Sequence, residues 1–200
     1  MYDHLGILIN SNTKSSSRIS NASSKGWKSF YSLSDIEVSR VNPMTIAHLY
    51  RTVVVPSILF GCELWNHTNK EDLRRLNTLQ HGIIKQIFNL PRLTRSDICE
   101  QFLNTLPITA EIDTRKLLFF GRLCRMNTNY LPKKIFTSRL FSFLYQLSKN
   151  QIGFIPDVLH LLQVYQLSDY LQTWLSTGSF PPKSSWKSVV RTSEIGRAHV

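Results

Sequence analysis

LYRTVVVPSILFGCELW, residues 49–65, is the stretch whose reading decides the fold. Thr52 to Cys62 carries no charged side chain, so the run belongs in a core, yet it falls well short of the ~20 apolar residues that cross a bilayer. Pro56 and Gly61 punctuate it. Proline has no N–H and its ring presses on the carbonyl four residues back, so a helix through Ala47 to Val55 is expected to kink or restart at Pro56. Gly61 permits a second break before Trp65.

Outward from this segment the chain reads as amphipathic helices. Upstream, Asn42-Pro43 pairs a capping residue with a residue suited to the first helical position, and Ile46, Leu49, Tyr50 and Val53 follow at helical spacing. Downstream, Asn69 precedes Lys70-Glu71-Asp72, which places acids where the helix dipole favours them. Leu73, Leu76, Gln80, Ile83 and Ile87 recur at intervals of three and four until Pro91 stops the helix. Thr94-Arg95-Ser96-Asp97 resembles a capping box for a short helix with Ile98, Phe102 and Leu103. After Leu106-Pro107, with Thr109 as cap, Leu117, Phe120 and Cys124 share one face of the next helix. Arg115, Leu118, Arg122 and Arg125 lie near the opposite face.

A helix after Pro132 offers Ile135, Phe136, Leu140, Phe143, Leu144 and Leu147 as an apolar face. Short helices are expected over 156–165 and from Ser168 to Gly178, and Pro181-Pro182 breaks the chain before 185–191. At the other end, Leu5, Ile7 and Ile9 alternate with Gly6, Leu8 and Asn10, as in a short strand over 2–10. The Ser- and Asn-rich residues 10–24 form a loop that enters a helix from about Arg18, with Trp27, Phe30, Tyr31 and Leu33 as its buried face. The fold expected is mainly α: a bundle-like module of seven to nine short helices with a short N-terminal β-strand or hairpin.

The chain has 200 residues, 42% of them hydrophobic, enough for a sizeable core, and a formal net charge of +11. So basic a balance favours a polyanion, nucleic acid first. Cys62, Cys99 and Cys124 are odd in number and widely spaced, which suggests buried thiols rather than a disulfide framework or a zinc site. MYDHLGILIN has no basic n-region and does not read as a secretory signal, so an intracellular protein is expected. The start on a strand implies upstream sequence. Residues 194–200, EIGRAHV, match one translated frame of a sequencing adapter and are left out of the functional reading.

Basic residues interleaved with aromatics point to phosphate contacts, since neutralising phosphates releases condensed counterions. By charge and spacing the candidate contacts are Arg115, Lys116, Arg122, Arg125, Lys133, Lys134 and Arg139, together with Lys25 and Lys28 beside Trp27. Two bland readings stand beside this one: the arginine stripe pairs with Glu111, Asp113 and other acids, and Trp27 belongs to a buried face. A different function is an interaction protein whose basic face meets an acidic protein partner. An enzyme ranks last. No Walker loop, G-x-S-x-G elbow or H-E-x-x-H helix is present, and the scattered histidines form no ligand set.

Six blocks in order carry a family resemblance. They are LGI at 5–7, residues 49–65, the Q….K.I pattern at 80–87, LPRLTRSD at 90–97, RKLLFFGRLCR at 115–125 and FPPKSSWKSVV at 180–190. The series resembles the region downstream of the polymerase core, the thumb and the following segment, of LINE-type, non-LTR retrotransposon reverse transcriptases. The resemblance implies a palm-like strand at 1–10 whose partners lie in a missing palm, a thumb-like helical module at 11–127 and a truncated helical segment at 128–193. It also implies that the intact parent copies RNA into DNA with magnesium, in the nucleus if the element is active. Such polymerases hold two metal ions on paired aspartates. This chain has no Asp-Asp pair, so the fragment is expected to be non-catalytic and cofactor-free, gripping an RNA or RNA–DNA duplex without membrane attachment.

Overall fold

Asn42 opens the helix that leads into the central segment: its Oδ1 accepts the Met44 N–H at 2.9 Å, and Pro43 fills the first helical position. In this computed structural model, residues 2–4, 7–9, 15–33, 41–65, 68–103, 106–145 and 153–198 are described. The architecture is mainly α, as expected. No helix among the described residues is long and apolar enough to cross a membrane. The chain divides into two compact units, one comprising residues 1–62 and 68–109, the other 63–67 and 110–200.

In the first unit, α1 is Ser15–Leu33, α2 Pro43–Leu49, α3 Val55–Ile58, α4 Lys70–Ile87 and α5 Ser96–Leu103. Between α2 and α3, Tyr50–Val54 forms a π turn, closed where the Val55 N–H donates to the Tyr50 carbonyl. The restart expected at Pro56 therefore takes the form of a widened turn just ahead of the proline, which relieves the ring's clash with the preceding turn. The extra residue per turn also rotates the buried face. Tyr50, Val54, Ile58 and Cys62 form it, each at most 1% exposed, whereas Val53, expected on that face, is exposed. The Tyr50 hydroxyl is buried with no hydrogen-bond partner among the described residues, and burial pushes its pKa above the ordinary phenol range. Gly61 sits at φ 72°, where a left-handed turn ends the segment.

α1 begins at Ser15, earlier than the Arg18 start expected. Its buried line is Ile19, Ala22, Gly26 and Phe30, so of the four expected residues Phe30 is buried while Trp27 and Leu33 are half-buried and Tyr31 is exposed. Small residues set this contact. A Cβ on Gly26 would lie 2.6 Å from Ile58 and 3.3 Å from Leu79, so its absence lets α1 close on α3 and α4. Trp27 is half-buried over Gly82 and stacks at 5.6 Å on Tyr31, which is exposed.

α4 matches its expected cap, start and end. Asn69 Oδ1 accepts the Asp72 N–H at 2.7 Å, and the buried Gln80 amide accepts from the Ile108 N–H at 2.7 Å and donates to the Leu106 carbonyl at 3.2 Å. Lys85 Nζ donates to the Arg92 carbonyl at 2.7 Å and so ties down the turn after the helix. In α5, Cys99 is buried, as expected of the thiols, and Ile98 is exposed, while the side chains of Phe102 and Leu103 lie outside the described residues. At the N-terminus, β1 (Tyr2–His4) pairs antiparallel with β2 (Ile7–Ile9), Tyr2 opposite Ile9 and His4 opposite Ile7. Of the strand or hairpin expected at this end, two short antiparallel strands are present rather than one strand running over 2–10.

The second unit is built on α6 (Ile108–Arg125), with α7 Leu131–Leu144, α8 Phe154–Val164, α9 Ser168–Thr177 and α10 Lys183–Ala198. The expected division at 127/128 thus differs from the compact units, which separate within the first turn of α6. α6 supplies Leu117, Phe120, Leu123 and Cys124 to a core that α7 to α10 complete. Trp186 of α10 is fully buried. Its indole N–H donates to the Leu117 carbonyl at 2.9 Å, and its ring lies where a Cβ on Gly121 would stand, 2.4 Å away. Tyr170 and Phe180 meet the same indole edge-on at 5.3 and 5.0 Å between centroids. Gly178 caps α9 at φ 69°, its N–H donating to the Trp174 carbonyl.

Candidate nucleic-acid interface

α6 corrects the two-faced reading of residues 115–125. From Glu111 to Arg125 only Arg122 is exposed, so there is no basic stripe opposite a core stripe. A helix enclosed nearly all round must settle its polar side chains internally. Lys116 does so with Asp157 of α8, Nζ to Oδ2 3.0 Å, the lysine side chain only 8% exposed. Arg115 is half-buried, its Nε 3.3 Å from Glu111 Oε1 one turn back. Arg125 donates to the Pro181 carbonyl at 3.0 Å and places its guanidinium 5.7 Å from the Phe180 ring centroid. The acid pairing read from the sequence thus holds for Glu111, while Asp113 accepts from the Tyr165 hydroxyl at 3.0 Å.

Lys133 is the most deeply committed of the candidates. It is 4% exposed; its ammonium donates to the carbonyls of Leu123 and Cys124 at 3.0 and 2.9 Å and sits 4.2 Å from the Trp174 ring centroid. Those carbonyls belong to the last turn of α6, where unsatisfied acceptors and the helix dipole both favour a cation. Burial lowers the pKa of Lys133 and likewise that of Arg125. The same enclosure pushes the neighbouring Cys124 thiol up to about 12.

The remaining candidates differ. Arg122 on α6 and Lys134 and Arg139 on α7 are exposed, with no ion pair among the described residues. In the first unit, Lys28 is exposed, while Lys25 is half-buried with its ammonium 5.7 Å from the Phe60 ring centroid. The structure therefore does not gather the nine candidates on one surface. It separates three outward cations of the second unit from four that hold the core of that unit together.

Three cations outside that set join the outward group. Lys183, Lys187 and Arg191 are exposed and follow at four-residue intervals along α10, beside the buried pair Trp186 and Val190. Their spacing is present in the sequence, where the Trp186–Val190 interval fixes which side of α10 faces the core. No carboxylate side chain occurs between Asp113 and Asp157, a span that contains all seven candidates from Arg115 to Arg139.

The described residues do not fit the paired magnesium of a polymerase. Glu71 and Asp72 are the chain's only adjacent carboxylates. Glu71 reaches Arg74 and Arg75 at 3.8 and 3.6 Å, while Asp72 is 2% exposed in the first turn of α4. Among the described residues no group of three or more His, Cys, Asp or Glu is placed to hold a metal ion. Compared with known proteins, the chain matches no family model, no curated protein and no solved structure.

Proposed function

We propose that this chain is a non-catalytic, nucleic-acid-binding helical module, equivalent to the thumb and following segment of a LINE-type reverse transcriptase. It holds an RNA or RNA–DNA duplex through its phosphates. The observation that carries the reading is the outward set Arg122, Lys134 and Arg139, exposed and with no ion pair among the described residues, in a span with no carboxylate. Lys183, Lys187 and Arg191 extend the outward charge along α10. Exposed cations without counter-charges are the groups that displace condensed counterions from a phosphate backbone. Lys116, Lys133 and Arg125 have no such role; they serve the fold.

The test is the salt dependence of binding to a labelled RNA–DNA duplex, read by fluorescence anisotropy. Replacing Arg122, Lys134 and Arg139 with Gln is expected to weaken binding and to reduce the slope of log K against log salt by about one for each phosphate no longer neutralised. An unchanged slope rules out this surface. Salt-sensitive binding to an acidic protein, with no affinity for the duplex, instead establishes an interaction module. The family reading has its own test: sequence upstream of residue 1 in the source locus is expected to encode an in-frame Tyr/Phe-x-Asp-Asp block, and a locus without one rejects it.

A further inference from the structure

The outward side of α7 carries more than charge. A soluble helix normally turns its apolar residues inward, but here only Phe136 and Leu140 are buried, along with Lys133. Leu131, Ile135, Phe141, Leu144 and Tyr145 are 68, 50, 43, 41 and 71% exposed. The apolar pattern places Ile135 and Leu144 in the core; Ile135 faces out because Lys133 takes the inward position next to Phe136 and commits the opposite side of the helix to solvent, whereas Leu144, one turn past Leu140 on the buried line, is exposed at the end of the helix. Lys134, Ser138, Phe141 and Tyr145 follow at intervals of four, three and four, one stripe of an α-helix. Leu131, Ile135 and Arg139 form the stripe beside it. Phe141 and Tyr145 lie nearly parallel, 21° apart with centroids 6.3 Å apart, so two exposed aromatic rings sit together one helical turn apart.

We infer that this face of α7 is a stacking platform for a single-stranded stretch of nucleic acid. Bases lie on Phe141 and Tyr145, and the flanking phosphates are met by Lys134 and Arg139. Two independent features select this occupant. Every charged side chain exposed on α7 is positive and no carboxylate lies anywhere between Asp113 and Asp157, so the face complements a polyanion. Exposed aromatic rings among cations also match what unpaired bases require, because each base presents a π-face while a duplex keeps its bases stacked inside. The inference rests on the nucleic-acid reading above and adds to it: where a duplex frays or ends, α7 takes the unpaired strand.

The experiment compares the full chain, wild type and variants, on a fluorescein-labelled 12-nucleotide oligo(U) and on an RNA–DNA duplex of equal length. The double variant Phe141→Leu with Tyr145→Leu keeps the face apolar but removes the rings. It is expected to bind oligo(U) on the order of tenfold more weakly or worse, since base–aromatic stacking contributes ~1–3 kcal/mol per base, with little change on the duplex. Both side chains are more than two-fifths exposed, so circular dichroism is expected to show an intact fold; Tyr145→Ser alone, at the more exposed ring, provides a milder version. Unchanged oligo(U) affinity in both variants overturns the stacking platform, and if Lys134→Gln with Arg139→Gln still weakens duplex binding, the function proposed above stands without it. Equal losses on oligo(U) and duplex overturn it as well, since a stacking site discriminates between them. Absence of salt-dependent binding to either probe overturns both readings. Retention by the leucine variant of a salt-sensitive complex with an acidic protein, without oligo(U) binding by the wild type, overturns the platform and assigns the face to a protein partner.

Discussion

α6 and α7 are successive helices about equally rich in lysine and arginine, and their cations have different fates. On α6 only Arg122 remains exposed, whereas α7 buries Lys133 and leaves Lys134 and Arg139 outside. The adjacent lysines 133 and 134 make the contrast at its sharpest: one bonds two carbonyls and a tryptophan face, and the next has no ion pair among the described residues. A basic residue's role follows from whether the core offers it acceptors, not from its position in a charged run.

The largest effects are expected where α6 is enclosed. Trp186→Ala removes a fully buried indole and the hydrogen bond to Leu117, and is expected to cost about 3–5 kcal/mol in urea unfolding. Gly121→Val should be comparably severe, because its Cβ meets the indole at 2.4 Å. A loss below about 1 kcal/mol for both would mean that α6 is not the axis of the unit.

Next comes the lysine pair. Lys133→Ala is expected to cost about 2–3 kcal/mol, because two buried carbonyls are deprived of their charged donor and a hydrocarbon stem is removed. Lys133→Met keeps the stem and removes the buried charge, so it should stay within about 1–2 kcal/mol of wild type. Lys134→Ala should lie within about 0.5 kcal/mol. Equal costs at 133 and 134 would erase the distinction between the two helices.

Cys124 supplies a pH test of the enclosure. Its thiol titrates near 9.0 when unfolded and about 12 when folded. Between those values the folded state holds the proton that the unfolded state has released, so stability is full below about 9 and falls as pH rises through the window. The contribution of this one thiol reaches at most about 1.4 kcal/mol per pH unit, and Cys124→Ala should remove it from the alkaline limb of the stability curve. The smallest effect concerns reactivity: Cys62, Cys99 and Cys124 are all buried, so none should react appreciably with a thiol reagent at pH 8 until denaturant is added.

The sequence made the helices legible wherever a local rule set them. Asn42 and Asn69 cap as their types require, Pro91 follows the end of α4, Gly178 closes α9, and the punctuated run at 49–65 supplies Tyr50, Val54, Ile58, Leu59, Cys62 and Trp65 as buried residues. What stayed hidden depends on residues far along the chain. Nothing near Lys116 announces Asp157, and nothing near Arg125 announces the Pro181 carbonyl. A helical wheel assigns a side chain to a face but cannot count how many neighbours cover that face, so α6 reads as two-sided when it is enclosed. Gly26 and Gly121 were likewise opaque, because their value is the close approach of Ile58 and Trp186. The π turn shifted the buried face from Val53 to Val54, a displacement that a uniform helical period does not anticipate.

The central claim is that outward cations bind phosphate while enclosed ones hold the fold, and one paired measurement tests it most directly. Salt slopes for RNA–DNA duplex binding would be measured for wild type, for Arg122→Gln with Lys134→Gln and Arg139→Gln, and for Lys116→Met with Lys133→Met, each confirmed folded by circular dichroism. The account predicts a slope reduced by up to about three in the surface variant and unchanged in the enclosed variant. A surface variant with the wild-type slope, or an enclosed variant whose slope falls while it remains folded, would contradict it.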